Sequence, residues 1–374
     1  MIFSVTKDNL QRGLQIVSHI SNKQMNLPVL QNVHIKAEGG GVILSTTNLE
    51  LAMRVRVRGK VDKEGEFTVP AKLASDFVLL LPNDRVDVSL GDAELSVTCG
   101  ETSTKMNGID AAEFPLIPSV ETSVKFELPA EALKGALSKV LFAVSTSEAR
   151  PELAGVLFKF EKGKLILAAT DSYRLAECVL SVEEMQECRV IVPGRALQEV
   201  SRIIATLKDD PESGDAILLQ LSDSQAVFTF GNAELSTRVV DGSYPDYTQI
   251  IPTQFATEMI VGRQDLVKAV KTASLFSRTG ICDVTLSVKP EDKKVVVQAT
   301  EASRGKNTAS CPADVKGKEN TITVNYRYLL DGLNAVDSEG VTLKIIDAMN
   351  PLLLHPNGQA EGESYTYIVM PIRQ

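Results

Sequence analysis

Catalytic chemistry has little to work with in this chain. Its three histidines, His19, His34 and His355, stand apart from one another, so a histidine metal site or a histidine-based triad lacks its parts. A satisfied structural or surface role suits all three better. Carboxylates are plentiful, but Asp171 followed by Glu177 has no regular spacing of a metal site or a glycosidase pair. No G-x-x-x-x-G-K-[ST] phosphate loop, no G-x-G-x-x-G after a strand and no H-E-x-x-H is present. The triplet Gly39-Gly40-Gly41 lies between strand-like segments and reads as a hairpin. The cysteines (Cys99, Cys178, Cys188, Cys282, Cys311) are scattered and odd in number, which fits free thiols in a reducing cytosol. No catalytic residue, metal or cofactor is expected.

Charge is more informative. Six predicted helices carry Lys7, Arg12, Lys72, Lys134, Lys139, Arg195, Arg202, Lys208, Arg263, Lys268, Lys271 and Arg327 against Asp8, Asp76, Glu131, Glu199, Asp265 and Asp331. Twelve cations and six anions give the helices +6, whereas the whole chain is −9. Helices sharing one electropositive surface would attract a polyanion through its phosphates without reading bases. The alternative is that these cations simply cover the wet faces of amphipathic helices. An overall acidic chain argues against coating nucleic acid with the entire surface.

The elements behind those helices repeat three times. Phe3-Ser4-Val5 with Leu10 and Leu14 returns as Phe126-Glu127-Leu128 with Leu133 and Leu137, then as Met259-Ile260-Val261 with Leu266 and Val270. Leu10 to Leu133, Thr47 to Thr170 and Pro70 to Pro193 are each 123 residues apart. A fourth anchor pairs Glu113-Phe114-Pro115 with Ser243-Tyr244-Pro245. The third copy keeps the order with drifted spacing. Fixed-period repetition indicates one folding unit copied and joined. Each copy reads as strand, helix, strands, then strand, helix, strands, with apolar helix positions such as Leu133, Leu137 and Val140 at helical spacing. Val86 to Leu90 and Leu95 to Val97 alternate as half-buried strands do. Proline-bearing linkers are expected at 115–123 and 251–257, giving α+β domains over 1–121, 122–252 and 253–374. The 44% apolar content is globular. No stretch reaches the roughly 20 apolar residues of a membrane span, and Met1-Ile2-Phe3-Ser4-Val5 has no signal-peptide pattern.

Several segments resemble the bacterial DNA polymerase III beta subunit family, the sliding clamps. They are Ala168-Ala169-Thr170-Asp171-Ser172-Tyr173-Arg174-Leu175, Val190-Ile191-Val192-Pro193, Val240 to Tyr247, and the ending Tyr367-Ile368-Val369-Met370-Pro371-Ile372-Arg373. The resemblance runs through the whole chain. It implies a DNA polymerase processivity factor: a head-to-tail homodimer whose six clamp domains close a ring around duplex DNA, helices inside and antiparallel sheets outside. The DNA-facing cations it implies are Lys23, Lys72, Lys139, Arg195, Arg202, Lys271 and Arg278. Gln24 stands where the family has a basic residue near Lys23.

The resemblance also implies a pocket for short motifs of partners. These are the replicative polymerase alpha subunit, the clamp loader, repair polymerases, ligase and mismatch-repair proteins. Its walls would be Leu153, Thr170, Tyr173, Arg174, Leu175, Pro245 and Ile250, completed by Met349, Met370, Pro371 and Ile372. Flexible methionines suit a pocket that repacks around different peptides. The alternative for Met370-Pro371-Ile372 is a terminal strand packing on its own domain. Ser172-Tyr173 replaces a common glycine-histidine, and Gln249 an arginine. Ring closure would pair an edge strand near 94–106 with one near 295–308, as unpaired edges are a liability. Met106 is expected against Leu275 and Phe276, and Glu101 opposite Arg304 or Lys306. A nucleoid-associated cytoplasmic protein follows. The competing readings are an interaction scaffold of the same shape without DNA engagement, and a repeat-built hydrolase.

Overall fold

The computed structural model describes residues 1–20, 27–118, 124–147, 149–183, 186–211, 213–358 and 364–373. Among the described residues, each copy contains eight strands and two α-helices. Copy one has β1 (Ile2–Thr6), α1 (Lys7–Val17), β2 (Asn32–Glu38), β3 (Gly41–Thr47), β4 (Leu51–Lys63) and β5 (Gly65–Pro70). It continues with α2 (Ala71–Leu80), β6 (Arg85–Leu90), β7 (Glu94–Cys99) and β8 (Thr102–Asn107). Copy two has β9 (Val124–Pro129), α3 (Ala130–Val140), β10 (Gly155–Glu161), β11 (Lys164–Thr170), β12 (Arg174–Ser181) and β13 (Cys188–Pro193). Then come α4 (Gly194–Leu207), β14 (Ala216–Leu221), β15 (Gln225–Phe230) and β16 (Ala233–Arg238). Copy three has β17 (Thr257–Gly262), α5 (Arg263–Ser274), β18 (Asp283–Lys289), β19 (Lys294–Glu301), β20 (Gly305–Gly317) and β21 (Asn320–Asn325). It ends with α6 (Tyr326–Asn334), β22 (Gly340–Ile345), β23 (Leu352–Pro356) and β24 (Ser364–Val369).

Every strand pair is antiparallel, and the pairing diagram repeats. In copy one β1 pairs β4 and β6, β2 pairs β3 and β5, β3 pairs β4, and β7 lies between β6 and β8. Copy three repeats this pair for pair from β17 to β24. The copies join by strand addition: β4 accepts β16, and β12 accepts β24. Two twelve-stranded sheets result.

The helices start alike because the same backbone bond anchors them. The first amide of α1 donates to the Asp84 carbonyl, that of α3 to Asp215, and that of α5 to Glu339, at 3.0, 2.9 and 2.8 Å. Their expected apolar positions, including Leu10, Leu14, Val17, Leu133, Leu137, Val140, Leu266, Val270 and Ala273, are all buried. Lys208 lies one residue beyond α4, so the helices hold eleven cations and six anions, +5 rather than +6.

Compactness divides the chain differently from repetition. One compact unit is 1–134 with 195–239, and the other is 135–194 with 240–374. Each unit holds one twelve-stranded sheet and one junction between copies, so copy two is shared between them.

Candidate functional site

The expected pocket residues lie in the second unit, around the turn between β11 and β12. Thr170 Oγ1 donates to the Arg174 carbonyl at 2.6 Å and accepts from the Ser172 amide at 3.1 Å. Asp171 Oδ1 accepts from the amides of Tyr173 and Arg174. Copy one makes the same four bonds 123 residues earlier: Thr47 to the Leu51 carbonyl, Leu49 to Thr47, and Glu50 and Leu51 to Asn48. Thus the numerical repeat is a repeat of hydrogen bonds. The turn needs a left-handed residue, and φ is +77° at Ser172 and +74° at Leu49. That conformation explains why glycine suits the position occupied by Ser172.

The floor of the site is apolar. Leu153 and Leu175 pack with Leu157, Ala168, Ile191, Tyr244, Tyr247, Leu353 and Ile368. Tyr247 Oη donates to Glu177, and burial pushes the Tyr247 hydroxyl far above its usual range. The chain end crosses beside this floor. The Met370 amide donates to the Tyr173 carbonyl (2.9 Å), Pro371 bridges to Val324, and the Ile372 amide donates to the Thr323 carbonyl (2.8 Å). β24 pairs both β23 of its own copy and β12 of copy two, and Met370, Pro371 and Ile372 stay half-buried beside the turn. Pro245 is half-buried, and Tyr173, Ile250 and Met349 are exposed. Ile250 and Met349 have only the resemblance to place them there. Gln249 is turned aside, donating to Asp246 at 2.8 Å.

Arg174 departs from its expected role as a pocket wall. Its guanidinium donates to Asp171, Asp331 and the Phe142 carbonyl and lies 4.6 Å from the Tyr328 ring centroid. With the side chain 11% exposed, it is a fastener among three elements. Its backbone amide and carbonyl both serve the turn.

Of the expected DNA-facing cations, Lys23 lies outside the described residues. Lys72, Arg195 and Lys271 are exposed on α2, α4 and α5, and Lys139 is half-exposed on α3. Lys72 pairs with Asp76 at 3.1 Å. Arg202 is tied down: it pairs with Glu199 at 2.6 Å and donates to the Gln15 and Ile16 carbonyls at the end of α1. Arg278 is bound to Asp283 at 2.6 Å, following α5.

The expected interface residues sit on two strand edges and one helix end. β8 is the last strand of the first sheet, and Glu101 is exposed in the turn before it. Met106 is a correction: alternation along β8 turns it inward, leaving it 4% exposed and unavailable as a surface contact. Leu275 is 66% exposed and Phe276 half-buried after α5, with Arg304 reaching the Leu275 carbonyl and Lys306 exposed on β20. Sequence reasoning missed Leu73, Leu79 and Leu80 on α2, which are 53%, 55% and 84% exposed. The signal was present: Leu73, Phe77 and Leu80 form a helical stripe besides the buried one of Ala71, Ala74 and Val78.

No group of three metal-ligating side chains occurs among the described residues, and no described helix is long and apolar enough to cross a membrane. Comparison with known families gives three consecutive matches. Residues 1–118 match the N-terminal domain of the DNA polymerase III beta subunit, 127–246 its central domain and 248–373 its C-terminal domain. A beta sliding clamp of Synechococcus elongatus is 34% identical over 98% of both chains, and that of Bacillus subtilis 30% identical over the full length of both. Among solved structures, a Pseudomonas aeruginosa DnaN sliding clamp bound to griselimycin superposes with a TM-score of 0.93 at 26% identity over 100% of both chains. The Bacillus subtilis DNA polymerase sliding clamp gives 0.92 at 28%, covering 100% of this chain and 99% of that one.

Proposed function

Because this chain belongs to the DNA polymerase III beta subunit family, we propose that two copies of it close head to tail into a ring. The ring encircles duplex DNA as a DNA polymerase processivity factor, acting without catalysis. One observation carries the closure. Inside the chain, the β4 position of one copy accepts the last strand of the next, as β4 takes β16 and β12 takes β24. The equivalent position in copy three is the first half of β20, which pairs β19 on one side only. The strand equivalent to β16 and β24 in copy one is β8, with β7 as its partner. Among the described residues this leaves one open slot beside β20 and one spare strand, β8, which a second copy satisfies together.

Repetition also sets the register. Leu235 sits opposite Met53 and Tyr367 opposite Ala176. Following the ladders through each copy makes Thr104 the equivalent of Leu235 and Tyr367, and Asn307 the equivalent of Met53 and Ala176. Thr104 of one copy then faces Asn307 of the other. The helix layer follows the same logic. Arg202 of α4 reaches the end of α1, and its equivalent 123 residues earlier is the exposed Leu79 of α2. Leu79 and Leu80 accordingly meet Leu275 and Phe276 at the end of α5 of the second copy. Glu101 lies near Arg304 and Lys306 in that arrangement.

The domains are the three copies, 1–121, 122–252 and 253–374. The ring holds DNA through exposed helix cations, chiefly Arg195, Lys271, Lys139 and Lys72, with Lys23 a further candidate and Arg202 and Arg278 serving structure. Non-specific phosphate contacts leave the ring free to slide. The pocket of the second unit takes apolar peptide motifs of the replicative polymerase, clamp loader, repair polymerases, ligase and mismatch-repair proteins, in a nucleoid-associated setting. Cysteines placed at Thr104 and Asn307 test the closure. The register predicts a disulfide-linked dimer on mild oxidation, since directly opposed strand residues have Cα atoms about 4.5–5.5 Å apart. A dimer linked instead by Thr104→Cys with Ser303→Cys, and not by the first pair, would overturn the register.

A further inference from the structure

The sixth residue of the second helix is acidic in every copy: Asp76 in α2, Glu199 in α4 and Asp331 in α6. Two of the three pair within their own helix. Asp76 meets Lys72 at 3.1 Å and Glu199 meets Arg202 at 2.6 Å. Asp331 leaves its helix instead and takes Arg174 Nη1 at 2.5 Å, 157 residues back along the chain. The other guanidinium nitrogens of Arg174 go to two further elements. Nε donates to Asp171 Oδ2 in the turn at 3.0 Å, and Nη2 donates to the Phe142 carbonyl just after α3 at 2.5 Å. Asp171 carries the link onward, since its Oδ1 accepts from the Tyr173 and Arg174 amides. The Tyr173 carbonyl in turn holds the Met370 amide at 2.9 Å. A continuous set of bonds thus runs from α6 through Arg174 to the turn and to the chain end beside it.

Folding does not call for this link. In the first unit the same turn forms with the same four bonds, and the Arg238 amide reaches the Glu50 carbonyl as Met370 reaches Tyr173. The residue standing for Arg174 there is Leu51, whose side chain has nothing to donate. A turn and a strand addition that form without an arginine at one junction do not require it at the other. Stability gives no reason either. The Asp331 side chain is 44% exposed, and ion pairs so open to water contribute little.

We propose that Asp331 is a positioning residue for the pocket of the second unit: it holds Arg174, and through Arg174 the turn that presents Tyr173 and Met370 to a partner's motif. The inference rests on the reading of that pocket as the motif site. Tyr173 is exposed and Met370 half-buried, so neither is locked in a core, and their placement depends on the turn that carries them. Ordering such groups at the moment of binding weakens an interface by the freedom they lose. A turn fixed beforehand removes that cost. In Asp331→Asn, Arg174 keeps Asp171 as its counter-charge, so the fold survives while the guanidinium loses its hold on α6.

The test uses the full chain, with the replicative polymerase alpha subunit of the same cell as the probe, read by surface plasmon resonance. Asp331→Asn is expected to weaken binding about three- to tenfold while moving Tm by less than about 3 °C. Asp331→Glu, which keeps the carboxylate, should recover most of the loss. In an Arg174→Gln background Asp331→Asn should cost nothing further, because Asp331 acts only through Arg174. Hydrogen exchange adds a readout in the free chain: the Tyr173 and Arg174 amides should exchange faster in Asp331→Asn, and those of Glu50 and Leu51 at their former rate. Unchanged affinity in Asp331→Asn, beside lost binding in Met370→Asp, would overturn the inference alone. So would an equal further loss in the Arg174→Gln background, or a fall in affinity no larger than the fall in folded protein. No binding by the unaltered chain, or full binding by Met370→Asp, would overturn the pocket reading and this inference with it.

Discussion

Two arginines show how far side-chain chemistry can depart from position in a motif. Arg202 satisfies two carbonyls at the end of α1, which the helix itself leaves without partners. Arg202→Ala should lower stability by about 1–3 kcal/mol, measured by urea unfolding, with DNA retention falling only as far as folding does. Loss of retention in a variant of unchanged stability would return Arg202 to the DNA surface. Arg174 was legible as part of a motif, but its job depends on Asp331, 157 residues away, and no local pattern carries that pairing. Thr170 and Asp171, by contrast, act within four residues, and their turn could be read directly from the copied Thr47 and Asn48. Two histidines add a pH dependence. Burial pushes the imidazoles of His34 and His355 below the usual value, only partly opposed by Glu66 and by the Tyr365 carbonyl. The folded chain then binds fewer protons than the unfolded one. Their contribution is complete above a pH of about 6.5 and is lost as pH falls through the lowered folded values. His34→Gln with His355→Gln should flatten the drop in Tm between about pH 7.5 and 5; an unchanged slope would show that neither group matters.

At the scale of elements, the helices and strands were readable because each copy corroborates the others. A single Phe-Ser-Val before a helix is weak, but three in order fix β1, β9 and β17. What the pattern hid was partnership. The buried stripe of α2 announces a core, whereas the exposed Leu73, Leu79 and Leu80 acquire meaning only after α4 is seen resting on α1. Met106 failed as a contact for the opposite reason: β8 was visible as a strand, but not which of its faces the core takes. Leu79→Asp with Leu80→Asp should give monomers of normal thermal stability in sedimentation, since both side chains are already exposed in the single chain. Each buried leucine lost from an interface is worth about 1.5–3 kcal/mol, so the two together shift a dimer by about two to four decades in affinity. An intact dimer in that variant would remove α2 from the interface.

At the scale of the whole molecule, repetition and compactness answer different questions. Three copies describe how the chain was built, while two units describe how it holds together, each centred on a junction made by strand addition. The third junction is the one the chain cannot make alone. Its absence could not be read from composition or charge, because it is a property of how ladders end. The central claim is that closure around DNA, rather than affinity for it, keeps the protein there. The direct measurement loads the dimer onto nicked circular duplex with a clamp loader, isolates the complex by gel filtration, and then linearises the DNA. The account predicts that the protein stays with the circle through moderate salt and is lost after the cut. Equal retention on circular and linear DNA would contradict it.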